Sequence, residues 1–210
     1  MTLIYCYDAY CGWCYGFSEV MKKINSTYKN SLDIEVLSGG MILPDEPVHI
    51  AATAAYIESA YKNVESVTGV KFGTDYLWHI KNPGQSDWYP NSEKPAIALC
   101  IFKEYYPQQQ VLFAADLQYA LHYEGRDLTD DEAYLHLLEK YDIPVEEFNG
   151  KLYDEFYKAE AYNEFDLCKK LQVTGFPAVL MQQSESKFHL LARGYTDFDT
   201  LNDRIKAIVP

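Results

Sequence analysis

Residues 10–16, with the sequence YCGWCYG, decide the fold of this chain. Two of them, Cys11 and Cys14, are three positions apart, so a disulfide can close between them on one turn of a helix. Residues 3–7, LIYCY, contain the β-branched and aromatic side chains that are typical of a strand. After the pair, apolar residues recur at helical spacing at Phe17, Val20, Met21, Ile24 and Tyr28. The cysteine pair therefore lies where a strand turns into a helix.

The position of the two thiols at this junction predicts different roles for them. Cys14 continues the apolar stripe of the helix, so we expect it to face the core. Cys11 is expected at the helix tip, near solvent, where unpaired N–H groups carry partial positive charge and favour a thiolate. The thiolate is the reactive form of cysteine. The pattern thus predicts a redox dithiol with an exposed nucleophile and a buried partner.

Two other roles are open to a cysteine pair of this spacing. A zinc site would need a second pair of cysteines or of histidines at ligand spacing. The histidines are scattered, and the sequence has no second Cys-x-x-C. A structural pair would reflect chance spacing, which the strand before it and the amphipathic helix after it disfavour. The redox interpretation is therefore preferred, and no metal site is predicted.

The remaining cysteines are predicted to be core residues. Cys6 lies on the first predicted strand, five positions before Cys11, and Cys100 and Cys168 lie among apolar residues on predicted helices. A free cysteine behaves as a small apolar side chain and is often buried. We expect these three residues to contribute packing only.

Composition narrows the classes of partner and the compartment. The 210 residues are 48 % hydrophobic and carry a net charge of −13, which disfavours nucleic acid and anionic membranes as partners. No apolar run approaches the roughly 18 residues of a membrane helix. The chain opens on Met1 and enters a strand at once, which predicts that it has no signal peptide. We therefore expect a cytoplasmic protein, in which a Cys-x-x-C is more often catalytic than structural.

The order of predicted elements indicates a split α/β domain. A second strand is predicted at 33–38, a helical block at about 46–171, two short strands at 178–181 and 188–192, and a last helix at about 197–208. The first two strands, joined by a helix, should be parallel, and the later hairpin antiparallel. Within the helical block, Ser92 is predicted to cap a helix. Residues 129–132, TDDE, are predicted to form a capping box.

Two sequence segments resemble those of a known family. Residues 7–15, YDAYCGWCY, are similar to the pattern F/Y-x-D-x-x-C-x-W-C-Y, and residues 173–178, VTGFPA, precede a predicted strand. Both resemble DsbA-like thioredoxin-fold thiol-disulfide oxidoreductases. The first segment resembles the cytoplasmic branch that includes FrnE-like proteins and relatives of 2-hydroxychromene-2-carboxylate isomerase. Residues 92–93 and 124–128 also look like that branch.

The resemblance implies a fold and a domain division. The fold would be α/β and thioredoxin-like, with a mixed four-stranded sheet and a large all-helical insertion. The thioredoxin-like domain would comprise residues 1–43 and 172–210, and residues 44–171 would form the insertion.

The resemblance also implies roles for individual residues. Cys11 would be the attacking thiol and Cys14 the resolving thiol. Pro177 would be a cis-proline facing the disulfide, and the backbone of Phe176 would be free to pair with an extended substrate. An ordinary trans proline at a strand start is the alternative. Gly12 and Trp13 would complete the substrate-binding surface, unless Trp13 packs on the helical insertion instead.

Two departures from the family pattern affect the chemistry. Many thioredoxin-fold enzymes carry a buried acid six residues before the first cysteine, where this chain has Tyr5. Asp8 and water are candidate substitutes for that acid. Gly12 and Trp13 place no histidine between the cysteines, so the pair should be a weaker oxidant than periplasmic DsbA.

Three functions follow from these observations. The preferred one is a thiol-disulfide oxidoreductase of reductase or isomerase type, acting on protein or small-molecule disulfides with no cofactor beyond its own disulfide. Glutathione remains an open option as a ligand. The alternatives are a glutathione-dependent isomerase or transferase like the kappa-class relatives on this fold, and a non-catalytic adaptor that delivers proteins to a protease. The sequence does not predict an oligomeric state.

Overall fold

The computed structural model describes residues 1–209 and contains nine α-helices and four strands within them. The strands are β1 (Thr2–Tyr7), β2 (Asp33–Ser38), β3 (Ala178–Ser184) and β4 (Lys187–Arg193). The helices are α1 (Gly12–Tyr28), α2 (Ala51–Thr68), α3 (Thr74–Lys81), α4 (Glu93–Tyr105), α5 (Gln110–His122), α6 (Leu135–Lys140), α7 (Val145–Leu152), α8 (Glu155–Lys170) and α9 (Phe198–Lys206).

The strands form a mixed sheet in the order β2-β1-β3-β4 across the described residues. β1 pairs with β2 in parallel, whereas β1–β3 and β3–β4 are antiparallel. The predicted parallel pair and antiparallel hairpin are confirmed. Seven of the helices, α2 to α8, lie between β2 and β3 in the chain. The predicted thioredoxin-like fold with a helical insertion is therefore confirmed, whereas the division at residues 43 and 171 stays a prediction.

The central strand β1 is buried on both of its faces. Successive side chains of a strand point to opposite sides of the sheet. Tyr5 and Tyr7 accordingly join the large apolar cluster that includes α1, α4 and α5. Cys6 joins a smaller cluster on the other face, with Leu37 of β2 and Cys168 of α8. The sheet thus lies between α1 on one side and α8 on the other, which fixes the end of β1 and the start of α1.

Close packing of α1 on α2 brings the insertion to the cysteine motif. Gly16 lies two positions after Cys14, and a Cβ atom at this position would come within 2.6 Å of the Thr68 side chain at the end of α2. Only glycine allows this approach. The helix that follows β2 is therefore held against the first turns of α1.

Two predicted helix caps are wrong in detail. Residues 129–132 do not form a capping box, because the Thr129 hydroxyl donates to the carboxylate of Asp127 instead. Ser92 does precede α4, but its hydroxyl makes no cap hydrogen bond within residues 1–209 and donates to Asp8, 84 positions away in the chain. In both cases the side-chain hydroxyl donates to a carboxylate instead of capping a helix.

Candidate active site

The turn between β1 and α1 holds the two cysteines at the helix N-terminus. Cys11 is the N-cap residue of α1, with an extended backbone (φ −81°, ψ 108°). Its Sγ accepts the backbone N–H of Cys14 at 3.3 Å, and its own N–H donates to the Asp8 carbonyl at 3.1 Å. Both cysteines are free thiols. A negative charge on the Cys11 sulfur would be stabilised by the donated N–H and by the helix dipole.

Both thiols are more enclosed than the sequence predicts. Cys14 is fully buried, as predicted. Its pKa is raised, mainly by burial and to a smaller extent by the neighbouring Cys11. Cys11 is only 5 % exposed, so the prediction of an exposed nucleophile is wrong. The reason is that Phe176 and the insertion cover the helix tip, and Cys11 faces a cavity instead.

The loop before β3 reaches the Cys11 sulfur from the other end of the chain. The Phe176–Pro177 peptide bond is cis. The Cys11 thiol donates to the carbonyl oxygen of Phe176 at 3.6 Å, across 165 positions of sequence. The Pro177 carbonyl accepts the N–H of Gly194 at 2.7 Å, which ties this loop to the end of β4. The structure therefore brings Phe176 beside the first cysteine.

A glycine that sequence reasoning missed makes room for Phe176. A Cβ atom at Gly39, just after β2, would lie 2.0 Å from the Cζ of the Phe176 ring. No side chain can occupy that space unless the ring moves. The only sequence signal was the glycine pair after β2, which by itself indicates no more than the end of a strand.

The buried carboxylate of Asp8 holds the cysteine turn in place. Asp8 is 1 % exposed and accepts the N–H of Tyr10 at 3.0 Å, the N–H of Met41 at 2.8 Å and the hydroxyl of Ser92 at 3.0 Å. Burial raises its pKa, and these hydrogen bonds partly offset that effect. In the described part of the chain the carboxylate is bonded to these donors and to neither thiol. Its geometry supports a clamp between three segments.

A cavity of about 350 Å³ opens beside Cys11, between the cysteine motif and the insertion. Cys11, Gly12, Trp13 and Phe176 line one side of it. The opposite side is formed mainly by one face of α2, at Thr53, Tyr56, Ile57, Ala60, Tyr61 and Val64. No residue lining it among residues 1–209 is charged. Trp13 is partly buried and packs against the core, and it also lines the cavity. Its predicted contact with substrate stays a prediction.

A sequence comparison identifies the family. The family model described as a DSBA-like thioredoxin domain matches residues 2–206. The chain belongs to this family. Among curated proteins, no sequence matches this DsbA-like chain.

Solved structures show the same fold as this DsbA-like chain over nearly its whole length. A putative protein disulfide isomerase from Nitrosomonas europaea is 22 % identical, with a TM-score of 0.83 over 98 % of this chain and 96 % of its own. The cytosolic disulfide reductase DsbM from Pseudomonas aeruginosa is 23 % identical, with a TM-score of 0.76 over 99 % and 98 %. A 2-hydroxychromene-2-carboxylate isomerase is 11 % identical, with a TM-score of 0.64 over 99 % and 94 %.

Behind the cavity wall, the DsbA-like chain buries a histidine in an aromatic cage. His122 is fully buried, and neither ring nitrogen has a hydrogen-bond partner in residues 1–209. The rings of Tyr15, Phe72 and Tyr76 lie with their centroids 5.0–5.4 Å from the imidazole. Burial lowers the pKa of His122 to about 3, so the ring is neutral at physiological pH. Phe72 and Tyr76 also line the cavity, so this cage supports its floor.

The position of the family's buried acid is occupied by a buried phenol. Tyr5 packs its ring against Tyr7 and Phe17, with centroids 5.7 and 5.8 Å away. Its hydroxyl has no hydrogen-bond partner in the described part of the chain. Burial raises its pKa well above the ordinary value, so the phenol stays protonated.

The other cysteines of the DsbA-like chain lie outside this site. Cys6 and Cys168 are buried on the far side of the sheet, as predicted for core residues. Cys100 is half-buried, and its thiol donates to the carboxylate of Glu164 at 3.5 Å, so its surroundings are more polar than predicted. Within residues 1–209, no cluster of histidine, cysteine or carboxylate side chains has the grouping that a metal ion needs. No helix described in the structure is both long and apolar enough to cross a membrane.

Proposed function

We propose that this protein is a thiol-disulfide oxidoreductase in which Cys11 is the nucleophile and Cys14 the resolving thiol. One observation carries the proposal. The Cys11 sulfur caps α1, accepts the Cys14 N–H at 3.3 Å and lies 3.6 Å from the Phe176 carbonyl, and Cys11 lines an uncharged cavity. This arrangement places the Cys11 sulfur at a helix N-terminus, holds Cys14 one helical turn away, and offers a substrate the backbone edge of Phe176.

The reaction follows from the two thiols. The Cys11 thiolate attacks one sulfur of a substrate disulfide, the substrate S–S bond breaks, and the other substrate sulfur leaves as a thiolate. Cys14 then loses its proton and attacks the Cys11 sulfur, which releases the second substrate thiol. Two electrons have passed from the protein to the substrate, and the protein holds a Cys11–Cys14 disulfide. If a substrate thiol attacks the mixed disulfide instead, the product is an isomerised substrate.

The substrate class follows from the walls of the site. Pro177 carries no N–H, so the segment beside Cys11 offers a substrate the backbone of Phe176. The uncharged cavity lined by Gly12, Trp13 and Phe176 suits an apolar side chain next to the substrate sulfur. We therefore propose protein or small-molecule disulfides with apolar surroundings as substrates.

We further propose that the protein works as a reductase or isomerase in the cytoplasm. The dipeptide of Gly12 and Trp13 places no cation beside Cys11, which should make the pair less oxidising than that of DsbA, near about −120 mV. The similar DsbM is described as a cytosolic disulfide reductase, and DsbM has also been solved with GSH. Glutathione is accordingly our candidate for the thiol that reduces the Cys11–Cys14 disulfide.

The reduction potential of the pair tests this proposal directly. The protein is equilibrated with glutathione buffers of known ratio, and free thiols are trapped and counted by mass spectrometry. We expect Cys11 and Cys14 to be lost and regained together in one two-electron transition, at a potential well below about −120 mV. Cys14→Ser serves as the matched control, because it should give only a glutathione adduct on Cys11. Absence of a transition in the unmodified protein would falsify the proposed function.

A further inference from the structure

The serine that precedes α4 joins two segments of the site through its side chain. Ser92 is 2 % exposed, and its hydroxyl donates to Asp8 Oδ1 at 3.0 Å. The same hydroxyl oxygen accepts the backbone N–H of Ile42 at 3.0 Å, and the Ser92 N–H donates to the Ile42 carbonyl at 2.8 Å. A buried network in which every group is bonded makes the segments that it joins rigid. Ser92 therefore fixes the helical insertion to Asp8 and to the chain after β2.

The buried Asp8 connects Ser92 to the turn that carries the first cysteine. Asp8 Oδ1 also accepts the Tyr10 N–H at 3.0 Å, and the Asp8 carbonyl accepts the Cys11 N–H at 3.1 Å. The other carboxylate oxygen, Oδ2, accepts the Met41 N–H at 2.8 Å. Two buried side chains, those of Asp8 and Ser92, thus hold both the cysteine turn and the chain after β2.

The segment directly after β2, residues 39–42, contributes to the site in two ways. Two of its residues, Met41 and Ile42, line the cavity beside the first cysteine. A third, Gly39, makes room for the Phe176 ring, since a Cβ atom there would lie 2.0 Å from the Cζ of that ring. The position of this segment relative to the cysteine turn therefore sets both a wall of the cavity and the space for Phe176.

We propose that Ser92 and Asp8 act together as positioning residues, which hold residues 39–42 beside the Cys11 sulfur so that a bulky apolar disulfide is seated for attack. This inference rests on the role proposed above for Cys11 as the nucleophile. In the step that it supports, the Cys11 thiolate forms a bond to one substrate sulfur, and the other substrate sulfur leaves as a thiolate. A misplacement of about 1 Å can slow a reaction roughly a hundredfold. A small polar disulfide gains less from the cavity wall.

Ser92→Ala tests the proposal because it removes the hydroxyl and both of its hydrogen bonds. Reduced protein is mixed with excess 4,4′-dithiodipyridine or hydroxyethyl disulfide, and samples are quenched in acid at a series of times. The remaining Cys11 thiol is measured by alkylation and mass spectrometry. The ratio of the two second-order rate constants gives the selectivity for the aromatic disulfide. In Ser92→Ala this selectivity should fall about tenfold, because the cavity wall is no longer held beside the sulfur.

Ser86→Ala is the matched control, because it removes another buried hydroxyl of the helical insertion. The Ser86 Oγ accepts the Trp88 N–H at 3.3 Å and lies at hydrogen-bond distance, 2.8 Å, from His79 Nδ1. Ser86 does not belong to the cavity lining described above. Both serine variants should lower the melting temperature by a similar amount, roughly 3–8 °C, but only Ser92→Ala should lose selectivity. Equal losses of selectivity in the two variants would overturn the proposal, since they would assign the effect to stability.

Asp8→Asn tests whether the two residues act as a unit, and it carries the same test if Ser92→Ala does not fold. The variant keeps the shape of the side chain but replaces one accepting oxygen with an NH₂ group, which cannot accept the N–H groups that the carboxylate binds. Its selectivity should fall about as far as that of Ser92→Ala. The double variant should lose at most about twofold more than either single variant. Fully additive losses in the double variant would contradict a shared role.

The outcomes distinguish this inference from the proposed function. If Cys11 of the unmodified protein reacts with neither disulfide, its role as the nucleophile is wrong. If Cys11 reacts with both disulfides and Ser92→Ala keeps the selectivity of the unmodified protein, only the inference about Ser92 and Asp8 is overturned.

Discussion

At the scale of single residues, the site contains buried polar groups that differ in whether they are hydrogen-bonded. Asp8 has three donors for its two carboxylate oxygens, whereas Tyr5 and His122 have no partner in residues 1–209. A satisfied buried carboxylate fixes local geometry, and an unsatisfied group is free to respond to a change in charge nearby. The sequence placed Asp8 and Tyr5 near the cysteines, but it could not show which of them was already bonded.

The neutral state of His122 makes the stability of the protein depend on pH. Its pKa is lowered from 6.5 to about 3 by burial, so between these values the unfolded chain binds a proton that the folded chain excludes. The free energy of unfolding therefore rises with pH across this window, and the contribution of neutral His122 is fully present above about pH 6.5. We expect the unmodified protein to lose up to about 4 kcal/mol from this residue as pH falls from 6.5 to 3.

His122→Leu tests this origin of the pH dependence. The variant removes the titrating ring and its unpartnered nitrogens. Between about pH 6 and pH 4, its unfolding free energy should therefore fall less steeply than that of the unmodified protein. Urea denaturation at a series of pH values gives the slopes. Equal slopes for the two proteins would assign the acid sensitivity to other groups.

At the scale of secondary structure, local patterns predicted the elements well and their contacts poorly. Alternating and helical periodicities gave β2 with its observed bounds, and β1 and α9 within one or two residues. Contacts between distant segments leave no local pattern. The bond from Ser92 to Asp8 and the fit of Phe176 over Gly39 join residues 84 and 137 positions apart. The cysteines could therefore be found in the sequence, but the cavity beside them could not.

Gly39→Ala should disturb the loop beside Cys11 without touching either cysteine. The added methyl group would lie 2.0 Å from the Phe176 ring, so the loop before Pro177 must move. We expect a loss of about 1–3 kcal/mol in stability and a several-fold lower kcat/KM with a peptide disulfide. The matched control is Gly84→Ala, where the new Cβ meets no atom of the described residues within 4 Å. Unchanged kinetics in Gly39→Ala would show that the Phe176 position does not matter for turnover.

At the scale of the whole molecule, the site belongs to both parts of the chain. The sheet and α1 supply the cysteines and Phe176, and α2 of the insertion supplies the opposite cavity wall. The protein carries a net charge of −13, yet no charged residue within the described chain lines the cavity. Because the lining carries no charge, substrate selection in the cavity is expected to follow size and apolarity.

Filling the cavity should change substrate selection. Ala60 lines it from α2, and Ala60→Phe would occupy part of its 350 Å³. We expect kcat/KM to fall about tenfold for a disulfide flanked by aromatic groups and to change little for hydroxyethyl disulfide. Ala52→Phe, on the same helix but outside the cavity and exposed, is the matched control. A parallel loss with both substrates would show that the substituted helix damages the cysteines rather than the cavity.

Cys11 and Phe176 are in contact but far apart in the sequence, and this separation has a consequence for synthesis on the ribosome. Translation delivers the dithiol among the first residues, but the segment that covers it arrives 165 residues later. Domains fold as the chain emerges, N-terminal parts first. During that interval both thiols lack the cover of Phe176, so we expect adducts with other disulfides to form most readily before translation ends. A reducing environment would keep both thiols free until the segment with Phe176 has been synthesised.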